Sequence, residues 1–108
     1  MNDFDKIIWS DTLVLVEFFA SWCGPCRAMD PTVERFRRMM NRRAEVLRIN
    51  IDDEQMLPIV RRYRIRTVPT LLLFHRGEER WRRSGITSYE EMVAALEQTE
   101  ALIHATPH

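Results

Sequence analysis

Cys23 and Cys26 are the only cysteines of the chain, and they enclose a Gly-Pro dipeptide in Trp22-Cys23-Gly24-Pro25-Cys26. The run before them, Leu13-Val14-Leu15-Val16-Glu17-Phe18-Phe19, is apolar and rich in β-branched and aromatic residues, the pattern of a buried strand. From Cys26 to about Met40 the apolar residues recur at helical spacing. Two sulfurs therefore stand where a strand passes into a helix. The first amides of a helix lack intrahelical partners and the macrodipole is positive there. A thiolate at Cys23 is stabilised by both, so its pKa falls below that of a free thiol. Pro25 suits the first helical turn, where a fixed φ is already helical and a missing N–H costs little. Gly24 has no side chain and leaves the Cys23 sulfur open to a partner. Three residues of helical advance bring Cys26 beneath Cys23, within disulfide reach. The pair can cycle between dithiol and disulfide.

Two other uses of the pair compete. A structural zinc site takes four ligands, and the histidines, His75, His104 and His108, all lie far along the chain. A purely structural disulfide closing so short a loop would remove little chain entropy. Glu17 sits in the middle of the apolar strand, where burial raises the pKa of a carboxyl and favours its protonated form. That suits proton transfer to and from Cys26. Arg48 either reaches Glu17 and lowers its pKa or faces solvent, because alternation alone does not fix its face.

The elements that must hold these groups are legible from periodicity. Phe4, Ile7 and Ile8 recur at helical spacing, with Asn2 or Asp3 as N-cap, which predicts a short helix over 3–9 and Trp9 anchored on the core. The strand 13–19 leads into a helix over 24–40, kinked by Pro31, with Val33, Phe36, Met39 and Met40 as its apolar stripe. Residues 45–51 alternate polar and apolar and read as a second strand, parallel to the first through a right-handed crossover. Asp52 or Asp53 caps a helix near 54–63, with Leu57, Ile59, Val60 and Tyr63 as candidates for burial. The third strand is 70–75, ending on an exposed His75; Arg76-Gly77-Glu78 marks a turn into an antiparallel fourth strand, 79–84, with Trp81 packing one face. Ser88 and Glu91 fit a capping box for a last helix to about 103, with Met92, Val93, Leu96 and Ile103 inward and a frayed tail over 105–108.

Composition sets the class. A chain of 108 residues is one domain, 1–108, large enough to bury its own core, and 45% hydrophobic residues make it globular. Sixteen basic residues balance 16 acidic ones, so no global field points to nucleic acid or membrane. The arginines are interleaved with acids, which reads as a solvated surface and not an RNA-binding patch. The N-terminus has neither a basic start nor an apolar h-region, and no apolar run reaches membrane length. A cytoplasmic location is expected, where such a cysteine pair is redox-active more often than structural.

The stretch from Val16 to Arg27 resembles the active-site segment of the thioredoxin family. Further matches fall at family spacing: Pro31 five residues after Cys26, Asn50-Ile51-Asp52 closing a strand, Val68-Pro69-Thr70-Leu71-Leu72-Leu73-Phe74, Gly77 at a hairpin and Gly85 after the last strand. The resemblance covers the chain from about Asp3 to Leu102. It implies an α/β fold with a central mixed sheet flanked by helices. It also implies that the Val68-Pro69 bond is cis and faces the disulfide, with the Val68 backbone pairing with a substrate chain. Trp22, Gly24, Pro25 and Gly85, with Ile86 and Thr67-Val68, would form a shallow apolar patch around Cys23 suited to many protein disulfides. Glu17 departs from the family, which mostly has Asp there; isomerase domains use Glu but carry His where this chain has Pro25. Arg48 stands where the family usually has Lys.

The expected activity is protein disulfide reduction. Cys23 is the nucleophile, Cys26 the resolving thiol and Glu17 its proton acceptor. A flavoprotein thioredoxin reductase drawing on NADPH would regenerate the pair, and the domain itself would need no cofactor or metal. A thioredoxin-like adaptor with incidental redox activity, or an oxidase or isomerase, would share much of the sequence; the Gly-Pro dipeptide favours a reductant. The family usually opens with a strand before its first helix. With the helix at 3–9, only Met1 and Asn2 would be left for it, so the expected sheet has four strands ordered 46–51, 13–19, 70–75, 79–84. Strand 46–51 is then an edge, guarded by Arg43, Glu45 and Arg48, and the protein is expected to be a monomer.

Overall fold

The strand the cysteines follow becomes the centre of the sheet. The computed structural model describes residues 3–105. β1, Leu13–Phe19, is buried along its length up to the half-buried Phe19. It pairs in parallel with β2, Ala44–Asn50, and antiparallel with β3, Thr70–His75, which in turn carries the antiparallel β4, Glu78–Ser84. The order β2-β1-β3-β4 is the expected one. Because β1 is covered on both faces, every second residue feeds a different core. Val14, Val16 and Phe18 pack with Phe4 and Ile8 of α1 (Asp3–Ile8) and Ile59 of α3 (Leu57–Arg62). Leu13 and Leu15 pack with Met29, Val33 and Phe36 of α2 (Gly24–Met39) and Met92 and Leu96 of α4 (Tyr89–Ala105). Glu17 belongs by parity to this second face, the one covered by the helix that Cys23 caps.

Several details differ from the pattern reading. Met39 is exposed: Met29, Val33, Phe36 and Met40 already form the inward stripe, and Met39 stands about 100° round the helix from Met40. Leu57 is exposed because it lies on the far side of α3 from the buried Ile59. The helix expected over 54–63 is split, with a 3₁₀ turn at Glu54–Met56, since Pro58 has no N–H for the Glu54 carbonyl. Trp9 is not a core anchor. α1 ends at Ile8, which takes the core position, and the 58% exposed Trp9 ring lies over the hairpin turn at Gly77. His75 is half-buried, with Nδ1 shielded and without a protein partner, and desolvation lowers its pKa. The capping box forms as expected, Glu91 N–H donating to Ser88 Oγ at 3.1 Å and Ser88 N–H to Glu91 Oε1 at 3.3 Å. Met1 and Asn2, the only residues left for a first strand that is expected to be missing, the alternative N-cap Asn2 and the tail from Thr106 fall outside the described residues.

Among the described residues β2 has a neighbour on one side only. Arg43, just before it, and Arg48 within it do not guard that edge as expected. Arg43 is drawn to Glu100 at 2.6 Å, and Arg48 turns inward to acids of the sheet and α2. Ile51 N–H donates to Phe19 O at 2.9 Å, so by alternation the amides of Leu47 and Ile49 face β1 while those of Val46 and Arg48 face outward. Amide exchange should therefore alternate along β2, with Val46 and Arg48 faster than Leu47 and Ile49 by about a hundredfold or more. Uniform protection would mean that another segment covers this edge.

Candidate active site

Cys23 is the N-cap of α2, in an extended backbone conformation, and Pro25 occupies the first turn. The Cys26 N–H donates to Cys23 Sγ at 3.2 Å, so one orphan amide of the helix is spent on the sulfur. The two sulfurs are joined as a disulfide with a Cα–Cα distance of 5.3 Å. The Val68-Pro69 bond is cis, and the Val68 carbonyl oxygen lies 3.6 Å from Cys23 Sγ. Gly85, at φ +90°, donates its N–H to the Pro69 carbonyl at 2.8 Å and has open space where a Cβ would stand. Trp22, adjoining Cys23 in the chain, and Ile86, adjoining Gly85, are each 66% exposed, large apolar side chains left uncovered. Cys23, Cys26, Trp22, Gly24, Pro25, Val68, Pro69 and Gly85 thus gather at one end of the sheet.

Glu17 is fully buried beneath this surface. The register sets it opposite Arg48 of β2, and Arg48 Nε donates to Glu17 Oε1 at 2.7 Å. The sequence left the face of Arg48 open, and the parallel register decides it. Burial still raises the Glu17 pKa; the Arg48 hydrogen bond and charge work against that without cancelling it. Glu17 has no hydrogen bond to Cys26 in the disulfide state, and its Oε2 has no protein partner. A cleft of about 230 Å³, lined by Phe19, Ser21, Cys26, Arg27, Asp30 and Arg48, opens beside the resolving sulfur.

Two residues were missed as parts of the site. Asp52 accepts from Trp22 Nε1 at 2.9 Å and fixes the exposed indole; Asp53 is the cap, accepting from Gln55 N–H at 3.0 Å. The signal was the pair of adjacent acids, of which only one is needed as a cap. Asp30 accepts from Arg48 Nη2 at 2.8 Å. Its place one turn after Cys26 put it on the right side of α2, but nothing in the pattern tied it to β2. Among the described residues no cluster of three His, Cys, Asp or Glu could hold a metal ion.

A sulfur at a helix start, paired with a second one turn on and faced by a proline segment, is the working arrangement of a thiol–disulfide oxidoreductase. The thioredoxin family model matches residues 1–98. Thioredoxin of Rickettsia bellii is 34% identical over 89 residues, 82% of this chain and 83% of that protein. Thioredoxin 1 of Chlorobaculum tepidum is 33% identical over 88 residues, 82% of this chain and 85% of that one. Chloroplastic thioredoxin M4 of Arabidopsis thaliana is 36% identical over 93 residues, 86% of this chain and 47% of that protein. The chain belongs to the thioredoxin family.

Proposed function

We propose that this chain is a single-domain reductant of protein disulfides in which Cys23 attacks and Cys26 resolves. The observation that carries this is the Cys26 amide held 3.2 Å from Cys23 Sγ at the start of α2. It favours negative charge on Cys23 over Cys26. The Cys23 thiolate attacks one sulfur of a substrate disulfide; that S–S bond breaks, the other substrate sulfur leaves as thiolate, and a mixed disulfide forms. Glu17 takes the proton of Cys26 through its unpaired oxygen, directly or across a water, and the Cys26 thiolate attacks Cys23 Sγ. The second substrate thiolate leaves, two electrons have passed to the substrate, and Cys23–Cys26 is a disulfide again.

The substrate backbone runs along Val68-Pro69 and Gly85, with Trp22, Gly24, Pro25 and Ile86 as the apolar surround. A flavoprotein thioredoxin reductase restores the dithiol at the expense of NADPH, meeting the same surface, so the chain is an electron carrier. It acts as a cytoplasmic monomer, with no metal or cofactor of its own and no nucleic-acid or membrane partner. No described helix is long and apolar enough to cross a membrane. Reduction of insulin disulfides, with dithiothreitol as electron source, tests the reading; a rate no greater than that of dithiothreitol alone would refute it. Equilibration with glutathione then separates reductant from oxidase, and a pair that stays a dithiol at oxidising glutathione ratios would mark an oxidase.

A further inference from the structure

Arg48 divides one edge of its guanidinium between two carboxylates. Nε donates to Glu17 Oε1 at 2.7 Å and Nη2 to Asp30 Oδ1 at 2.8 Å. These two groups are spaced to hold both oxygens of a single carboxylate, as bidentate arginine pairs do. Because Asp30 takes the second, Glu17 Oε2 is left buried with no protein partner. The Phe19 ring, its centroid 4.3 Å from Arg48 Cζ, supports the guanidinium. We propose that Asp30 competes with Glu17 for Arg48, and that by holding Nη2 it keeps Glu17 Oε2 unpaired and protonatable. Asp30 is thereby a positioning residue, acting on the chemistry through Arg48; its bearing on rate rests on the role proposed above for Glu17.

The other surroundings of Glu17 leave this pair of contacts in control. The charge of Asp30 itself also raises the Glu17 pKa, and among the described residues the other charge acting on it is Arg37 of α2, which is paired with Glu34 at 3.2 Å. β3 sets the apolar Leu71 opposite Glu17. α4 brings Met92 and Leu96 to this face, and its buried Thr99 hydroxyl donates to the Ala95 carbonyl at 2.8 Å. If Nη2 turned to Oε2, both oxygens of Glu17 would accept charge-assisted bonds and its carboxylate form would be stabilised.

Asp30→Ala and Asp30→Asn test this, because Asn keeps an oxygen acceptor but loses the charge. The Glu17 carboxyl is followed by NMR against pH in the reduced protein. Its midpoint should fall by about one pH unit in Asp30→Ala and by less in Asp30→Asn. Equal shifts in the two variants would reduce Asp30 to a through-space charge, and no shift in either would remove any influence; both overturn the competition. The rate of release from a mixed disulfide is measured on the same samples. Its acidic limb should move with the Glu17 midpoint, and its plateau should fall roughly threefold as the base weakens. A midpoint that moves while the rate profile stays fixed would bear out the competition for Arg48 and instead remove Glu17 as the proton acceptor.

Discussion

Incubated with an oxidised protein substrate, the Cys26→Ser variant should accumulate a covalent adduct through Cys23, approaching full occupancy in non-reducing mass spectrometry. Cys23→Ser should form no adduct, and its reductase activity should drop to the background of the assay. The asymmetry comes from the helix start. Residue exposure hardly separates the cysteines, at 4% for Cys23 and 1% for Cys26. The amide at 3.2 Å and the α2 macrodipole do separate them, and both act on Cys23. The Cys26→Ser variant retains that amide, so the first attack survives; it lacks the second sulfur, so the mixed disulfide has no internal route of release. If Cys26→Ser instead turned over substrate at the normal rate, the assignment of nucleophile and resolving thiol would be wrong.

Glu17→Gln should make the oxidised protein more stable at pH 8 and leave it unchanged at pH 4. Burial places the folded-state pKa of Glu17 above its ordinary value of 4.5. Below that value the carboxyl is protonated in both folded and unfolded chains and contributes no penalty. As pH rises toward the folded-state pKa, the unfolded chain releases its proton first, and the folded protein loses stability relative to the variant. The loss is complete once pH exceeds the folded-state pKa. Urea unfolding should show the variant more stable at pH 8, with the difference vanishing at pH 4. The same substitution should slow release from the mixed disulfide by roughly tenfold to a hundredfold at neutral pH. A wild type as stable as Glu17→Gln at pH 8 would show that Arg48 outweighs desolvation.

The cysteine pair and the frame around it were legible because each rests on short-range pattern. β1 is a continuous apolar run, α2 has a 3.6-residue stripe, and a strand–helix junction between them needs no long-range information. The order of the strands followed from the crossover and the hairpin. What the sequence did not carry was register. Alternation gave Arg48 a parity, yet only the pairing Glu17↔Arg48 brings the guanidinium to the buried acid, and that pairing is fixed by how α2 returns the chain to β2. Asp30 enters the site through the same register. Trp9 misled for a different reason: hydrophobic size suggested a core anchor, but the neighbouring Ile8 already filled that place, and the indole settled on the hairpin turn. Asp52 was ambiguous because two adjacent acids offered one cap.

The inward turn of Arg48 leaves the outer strand of the sheet with little to keep copies of the protein apart. In Ala44–Asn50 the only other charged side chain is Glu45, which is exposed. With formal charges balanced and an isoelectric point near 6.8, the molecule as a whole adds little mutual repulsion near neutrality. Colloidal stability on concentration is thus limited by one residue, Glu45, whose replacement by Ala should reduce it.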